Sequence, residues 1–312
     1  IEQNKVRTII TVIGVLWGIF LYIVLSGAAK GIDHGFERQF ERISSNSLFV
    51  WGEATSVPYD GFKTGRQINF KLSDVTALKN RIPEIQHIAP RNSSGVFGGS
   101  KAQLVNGQKK GSYNIYGDFP IYTTIATKTI FDGGRFINES DIIAKRKVCV
   151  IGERTQQELF KEGESPIGKF VRINGIHFRI IGVTKFVDGG GPGNDGDIYI
   201  PFTTYQRLYN TGEYVDFLLV AAYPTADIVQ VETDIRAVLK ELHHVSPEDK
   251  RALGGFNIGK MFKQISQFAS GMTFLSMVIG LATIIGGIIG IGNILLISVK
   301  ERTKEIGVRR AI

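Results

Sequence analysis

Hydrophobic and polar positions divide this chain into two uncharged ends and an alternating middle. Thr8–Ala29 holds no charged residue, and Gln264–Val299 holds no Asp, Glu, Lys, Arg or His. A bilayer core needs about 20 apolar residues, so the first run is long enough to span. As a helix the second would reach roughly 54 Å at about 1.5 Å per residue, more than one span requires. Its start (Gln264, Ser266, Gln267, Ser270) is mixed and reads as a stalk, and Met272–Ile297 reads as the span itself. After the first run, Ile32, Phe36, Phe40 and Ile43 form one apolar helical stripe with Asp33, Glu37, Arg38, Glu41 and Arg42 on the other faces. That predicts a helix over 30–46 continuing the first span.

The middle reads as an ordinary folded protein. Strands are expected at Ser47–Trp51, Lys147–Ile151, Lys169–Asn174, His177–Val183, Asp197–Pro201 and Phe217–Tyr223, with Asn174-Gly175 as a hairpin turn. Gly52–Gln67 reads as loop or irregular hairpin, and Ile85–Tyr116 as strands separated by Gly/Asn turns. Helices are expected at Ser73–Ile82 with Ser73 as N-cap, at Glu153–Phe160, at Thr203–Tyr209 and at Ala226–Leu242. Phe131–Phe136 looks like a turn opening a second block. The pattern predicts an α+β domain of two lobes inserted between two long helices: a mixed α/β lobe near the membrane over 47–130 and 216–258, and a mainly β distal lobe over 131–215. Around it lie an N-terminal segment (1–8), a first span (9–29), a stalk (30–46), a second stalk (259–271), a second span (272–297) and a charged tail (298–312).

Charge sets the orientation. Lys5 and Arg7 precede the first span, and Lys300, Arg302, Lys304, Arg309 and Arg310 follow the second against only Glu301 and Glu305. By the positive-inside rule both ends face the cytoplasm and the middle lies outside. The length of the first run favours a retained helix over a cleaved signal peptide. The net charge of +8 comes partly from these ends, and its basic residues are not gathered on one helix, which argues against nucleic acid. Gly14 and Gly18 form a GxxxG pair, and Ala282, Gly286 and Gly290 repeat small residues every fourth position. Such stripes are candidate helix-packing faces.

Candidate chemistry is sparse. Gly163–Lys169 matches the start of a phosphate loop, but Phe170 stands where Ser or Thr would bind magnesium and a strand follows, so it reads as a turn. His34, His87, His177, His243 and His244 show no metal-ligand spacing. Cys149 sits in an apolar strand and reads as a buried thiol. Gly189–Asp195 reads as an exposed hairpin tip suited to partner contact. The sequons at Asn92 and Asn138 read as coincidences. With no charge inside either span there is no ion pathway to propose. No catalytic constellation is visible, and the chain points to mechanical transmission or assembly.

The tail Val299–Ile312 resembles the cytoplasmic motif after the second membrane helix in permeases of the MacB/FtsX-like ABC transporter superfamily. Asn4–Gly18, Ile151-Gly152, Pro166–Lys169, Phe178–Val183 and Ile198–Pro201 are similar to other parts of those permeases. The resemblance implies that Glu301, Arg302, Glu305, Ile306, Gly307, Arg309 and Arg310 form a coupling helix on an ABC ATPase, separate or fused. That partner would bind ATP and magnesium, leaving this chain without cofactor or catalytic role. It further implies a bacterial inner-membrane, multi-pass protein, working as a homodimer or with a related permease. In Gram-negative relatives a periplasmic adaptor and an outer-membrane exit duct would complete it. The same charges could instead hold a juxtamembrane helix to anionic membrane lipids. Such permeases carry two further membrane helices, so the chain is expected to be a fragment. A two-span sensor with an external ligand-binding domain is the rival reading, and an external enzyme anchored by two helices a distant third.

Overall fold

The computed structural model describes residues 5–40, 42–96, 99–186 and 195–311. It falls into two compact units, Ile1–Glu37 with Lys263–Ile312, and Arg38–Phe262. The first consists of two long helices, α1 (Lys5–Phe40) and α8 (Ile258–Ala311), each of which begins or ends in the second unit.

The second unit is a mixed α/β body on an eleven-stranded sheet. Its elements in order are β1 (Ser47–Gly52), β2 (Phe70–Lys71), α2 (Leu72–Arg81), β3 (Ile85–Ser94), β4 (Ala102–Asn106), β5 (Lys109–Tyr113), β6 (Ile115–Asp118), α3 (Tyr122–Ile125) and α4 (Glu139–Ile143). Then follow β7 (Val148–Gly152), α5 (Glu153–Leu159), β8 (Phe170–Ile173), β9 (Ile176–Thr184), β10 (Ile198–Pro201), α6 (Phe202–Tyr209), β11 (Tyr214–Val215), β12 (Phe217–Ala222), α7 (Ile228–Leu242) and β13 (Leu253–Asn257).

The strand order β13-β1-β12-β3-β6-β10-β7-β9-β8-β4-β5 contains two halves. In the first, β1-α2-β3 and β12-α7-β13 make a β-α-β-β-α-β unit with antiparallel neighbours throughout. The second half is inserted between β3 and β12 and is mixed, with β6–β10 and β7–β9 parallel. One strand serves both: Ile85–Arg91 of β3 pairs with β12, and Asn92–Ser94 with β6. Continuously apolar strands occupy interior positions, as β12 (Phe217–Ala222) and β7 (Val148–Gly152) are buried at every residue. The second half packs Leu104, Ile115, Ile151, Ile173, Phe178 and Ile200 into its own core with Leu159 and Tyr205 from the helices.

Several expectations change here. The sequence boundary at 131 does not hold, because β4 pairs with β8 and β6 with β10, so Ala102–Asp118 belongs to the second half. Local alternation predicts strands but not which distant strand completes the ladder. Segment 119–130 returns to the first half, where α3 packs on β12 and β3. The helix expected over 30–46 stops at Phe40, and Ile43 then bridges to Ala126. Ser73 is not a cap: α2 starts at Leu72, and the Lys71 amide donates to Asp74 Oδ2 at 2.8 Å. β13 was not among the expected strands: its Leu-Gly-Gly-Phe-Asn run has no alternation, and pairing with β1 makes it a strand. The Asn174-Gly175 turn has φ of 46° and 85°, as the tight β8–β9 hairpin requires.

A buried ion pair sits where β3 passes from one half to the other. The Arg91 guanidinium, 2% exposed, donates Nε to Asp118 Oδ1 at 2.5 Å and Nη2 to Oδ2 at 2.9 Å. It lies between the rings of Tyr116 and Tyr122, 4.3 and 3.9 Å from their centroids. Arg91→Met should therefore lower stability by about 3–5 kcal/mol by leaving Asp118 buried and unpaired. Adding Asp118→Leu should recover most of that loss, measured by urea unfolding.

A second clamp is Asp249, which accepts from the Ser56 amide and hydroxyl (2.6 and 2.7 Å) and from the amides of Val57, Arg251 and Ala252. Burial works to raise its carboxyl, but these donors outweigh it and hold the pKa well below the usual carboxylate range. A lowered folded-state pKa contributes stability that is present above about pH 4 and is lost as pH falls below it. Asp249→Asn should flatten that acid limb, read from the urea midpoint as a function of pH.

Candidate functional site: the paired helices and their roots

The helices are built for an apolar environment. Ile9–Arg38 and Ile258–Ile297 are the two stretches long and apolar enough to cross a membrane among the described residues. Ile10, Leu16, Phe20, Phe274, Ile284 and Leu296 all point outward and are more than half exposed. An exposed apolar surface of that extent supports insertion into lipid.

Within this unit α1 and α8 run antiparallel along a seam of small residues. A methyl group on Gly18 would overlap the Thr283 side chain, and one on Gly290 would lie 2.5 Å from Thr11 Cγ2. Gly287 faces Val15 and Gly280 faces Tyr22 at 3.3 Å from the same test position. The inward residues of α8 (Ala269, Ser276, Thr283, Gly287, Gly290) step by sevens, fours and threes, the spacing that keeps one face toward a neighbour. The fourfold steps in the sequence do not follow it. Gly14 and Gly286 have open space around them and Ala282 is exposed. At 3.6 residues per turn a strict i, i+4 stripe winds off the contact, so only Gly18 and Gly290 of the five lie on the seam.

Both helices are anchored side by side in the sheet unit. After α1, Thr127 N donates to Arg42 O (2.8 Å) and Ser44 N to Ile125 O (2.9 Å). The Asn46 amide donates to Tyr223 O (2.7 Å) and Ala226 O (3.1 Å), while its own carbonyl accepts from Ala222 N. Before α8, Asn257 Oδ1 accepts from Lys260 N at 2.8 Å as a helix cap, and its Nδ2 donates to Glu232 (2.8 Å) and Ile228 O (3.3 Å). Phe40 stacks on Phe256 with ring centroids 6.4 Å apart and meets Phe262 edge to face at 6.2 Å. Gly259 closes the joint: a methyl there would meet Ile228 Cγ2 at 2.7 Å and Ser45 O at 2.9 Å. Sequence reading overlooked these roots. Asn257 directly before the apolar helix was the available signal.

Residues 299–311 continue α8 without a break. Gly307 and Arg310 are exposed there; the side chains of Glu301, Arg302, Glu305, Ile306 and Arg309 lie outside the described residues. Gly163–Lys169 is a turn feeding β8, with positive φ at Gly163 and Gly168 and Lys169 ion-paired to Glu164. His243 meets Asp74 at 2.8 Å and His244 meets Asp60 at 2.6 Å, and no three His, Cys, Asp or Glu gather for a metal among the described residues. Cys149 is fully buried, which pushes its thiol up. Asn92 and Asn138 spend their side chains on Tyr214 O and on the α4 cap. Of the glycine-rich tip, 189–194 lie outside the described residues, and Asp195 pairs with Arg154 at 3.2 Å.

A family described as the MacB-like periplasmic core domain matches residues 8–238. Among curated proteins, the macrolide export ATP-binding/permease protein MacB of Bdellovibrio bacteriovorus is 32% identical over 317 residues, covering 100% of this chain and 47% of that protein. The pyoverdine export ATP-binding/permease protein PvdT of Pseudomonas putida is 26% identical, covering 99% and 45%. The chain thus spans about half the length of these relatives. Among solved structures, the periplasmic region of MacB from Actinobacillus actinomycetemcomitans superposes with a TM-score of 0.56 at 23% identity, covering 72% of this chain and 94% of that one. The extracellular domain of the ABC-type transporter YknZ from Gram-positive bacteria gives 0.54 at 18%, covering 68% and 100%. Those two establish the fold, and with the family match over most of its length the chain belongs to the MacB-like periplasmic core domain family of ABC transporter permeases.

Proposed function

We propose that the chain is the permease part of an ABC exporter that transmits nucleotide-driven movement to an extracytoplasmic domain. The observation that carries this is the common root of the two helices. Asn46 ties the segment between α1 and β1 to Tyr223 and Ala226, and Asn257 ties the start of α8 to α7, so the chain enters and leaves the sheet unit at one hydrogen-bonded corner. The unbroken run of α8 from its Asn257 cap to the charged tail supports a lever rather than a tether.

In this reading both helix termini face the cytoplasm of a bacterial inner membrane, and the sheet unit lies outside. Glu301, Arg302, Glu305, Ile306, Gly307, Arg309 and Arg310 dock on an ABC ATPase, fused or separate, which binds the ATP and magnesium. The permease acts as a dimer of like or related chains among membrane lipids. Where an outer membrane exists, an adaptor and exit duct receive the cargo. The named cargoes of the relatives, a macrolide and a pyoverdine, support small or peptidic export substrates, and lipids or lipoproteins remain within the same class. The ATP-binding/permease names weigh against the two-span sensor.

The test uses the full-length protein with its ATPase. Glu305→Ala with Arg309→Ala should reduce coupled transport or complex assembly at least tenfold; normal transport and assembly would remove the docking role. Gly259→Val should leave ATPase association intact but abolish transport, because it forces the root apart. Transport at the wild-type rate in that variant would remove the lever. The seam offers a matched pair: Gly18→Leu should cost about 1–3 kcal/mol by overpacking, and Gly14→Leu much less, read as thermal stability in detergent.

A further inference from the structure

Part of the net charge of +8 lies at the helix ends, and folding gathers another part on one sheet face. Residues paired directly across strands share a face. Phe170 pairs with Arg179, Arg172 with His177 and Val105, and Val105 with Lys110. Their neighbours Val171, Ile173, Phe178 and Leu104 point the opposite way into the core. The outward face of β5-β4-β8-β9 therefore carries Lys110, Arg172, His177 and Arg179 around Phe170, all exposed, with Phe170 at 63%. Lys147 adjoins it, its carbonyl accepting from Arg179 N at 2.9 Å. No Asp or Glu stands at an outward position of these four strands, whose outward residues are otherwise Gln103, Val105, Ser112 and Ile181. Among the described residues none of Lys110, Lys147, Arg172 and Arg179 has an acidic partner. The Arg135, Arg146 and Lys169 side chains nearby are by contrast paired, to Asp141 and Glu164.

We propose that this face docks an acidic surface of a separate folded protein, with Phe170 as the apolar centre and Arg172 and Arg179 as the charged anchors. An exposed aromatic ringed by arginines is the composition of a protein–protein hot spot. A second copy of this chain using the same face is disfavoured, because cation would meet cation. A small anion would need donors converging in a pocket, whereas these project from an open sheet. The inference is independent of the helix roots, so its failure leaves the coupling reading untouched, and the converse also holds.

In cells producing the full-length protein, p-benzoylphenylalanine at Phe170 is the probe, with the same group at exposed Tyr214 on β11 as reference. Irradiation should give an adduct at 170 with a protein of acidic isoelectric point, and none at 214. Arg172→Glu with Arg179→Glu should reduce the adduct at least roughly tenfold, while Arg172→Lys with Arg179→Lys should retain most of it. Protease resistance checks folding, and Arg172→Gln with Arg179→Gln replaces the glutamates if they disturb the sheet. An adduct with a second copy of the chain, an adduct with lipid only, a yield indifferent to charge, or no adduct would each overturn the proposal.

Discussion

The Arg91–Asp118 pair is the constraint on which the sheet unit depends. A guanidinium and a carboxylate are desolvated together at the one strand that pairs with both halves. Isolated, either charge would be costly to bury, so the pair forms only when β3, β6 and α3 are all in place. Phe217 on β12 brings the first half to the same guanidinium, 5.3 Å from its ring centroid. Next along the strand, Asn92 donates to Tyr214 O and accepts from Asp216 N, closing the far end of the insertion. Two successive polar residues of β3 thus bind the excursion from β4 to β11 at both ends.

The helix roots lie in the first half, on β1 and the edge strand β13. β1 follows α1 and β13 precedes α8, and the two strands pair with each other from Leu48↔Asn257 to Gly52↔Leu253. This antiparallel pair explains why the two helices leave from one place. Asn46 satisfies the carbonyls of Tyr223 and Ala226, and Asn257 caps the first turn of α8 while bonding Ile228 O, so backbone groups at this corner are not left open. Tight approach at Gly259 completes it.

Particular residues show how far sequence reading reaches. The uncharged runs, the Asn174-Gly175 hairpin and the apolar β7 and β12 were legible because each is a local property of composition or turn chemistry. The seam was not: small residues every fourth position are conspicuous in sequence, but contact between two helices follows sevenfold steps, and Gly14, Ala282 and Gly286 fall outside them. The basic face was also invisible, since Lys110, Arg172 and Arg179 are dispersed along the chain and meet only through cross-strand register. β13 and the helix roots were missed because their order comes from partners on β1, α7 and the 42–46 segment.

By itself, then, the sequence determined that two apolar helices bracket an α+β domain, and it carried the motifs that resemble a permease. Those are local quantities: length without charge, periodicity, and flanking lysines and arginines. Only the tertiary structure decided where the insertion begins, which glycines touch a neighbour, how the chain enters both helices from one corner and which cations lack an acidic partner among the described residues. Each of these depends on pairing between residues tens to hundreds of positions apart, and the free energy that selects such a pairing belongs to neither partner alone.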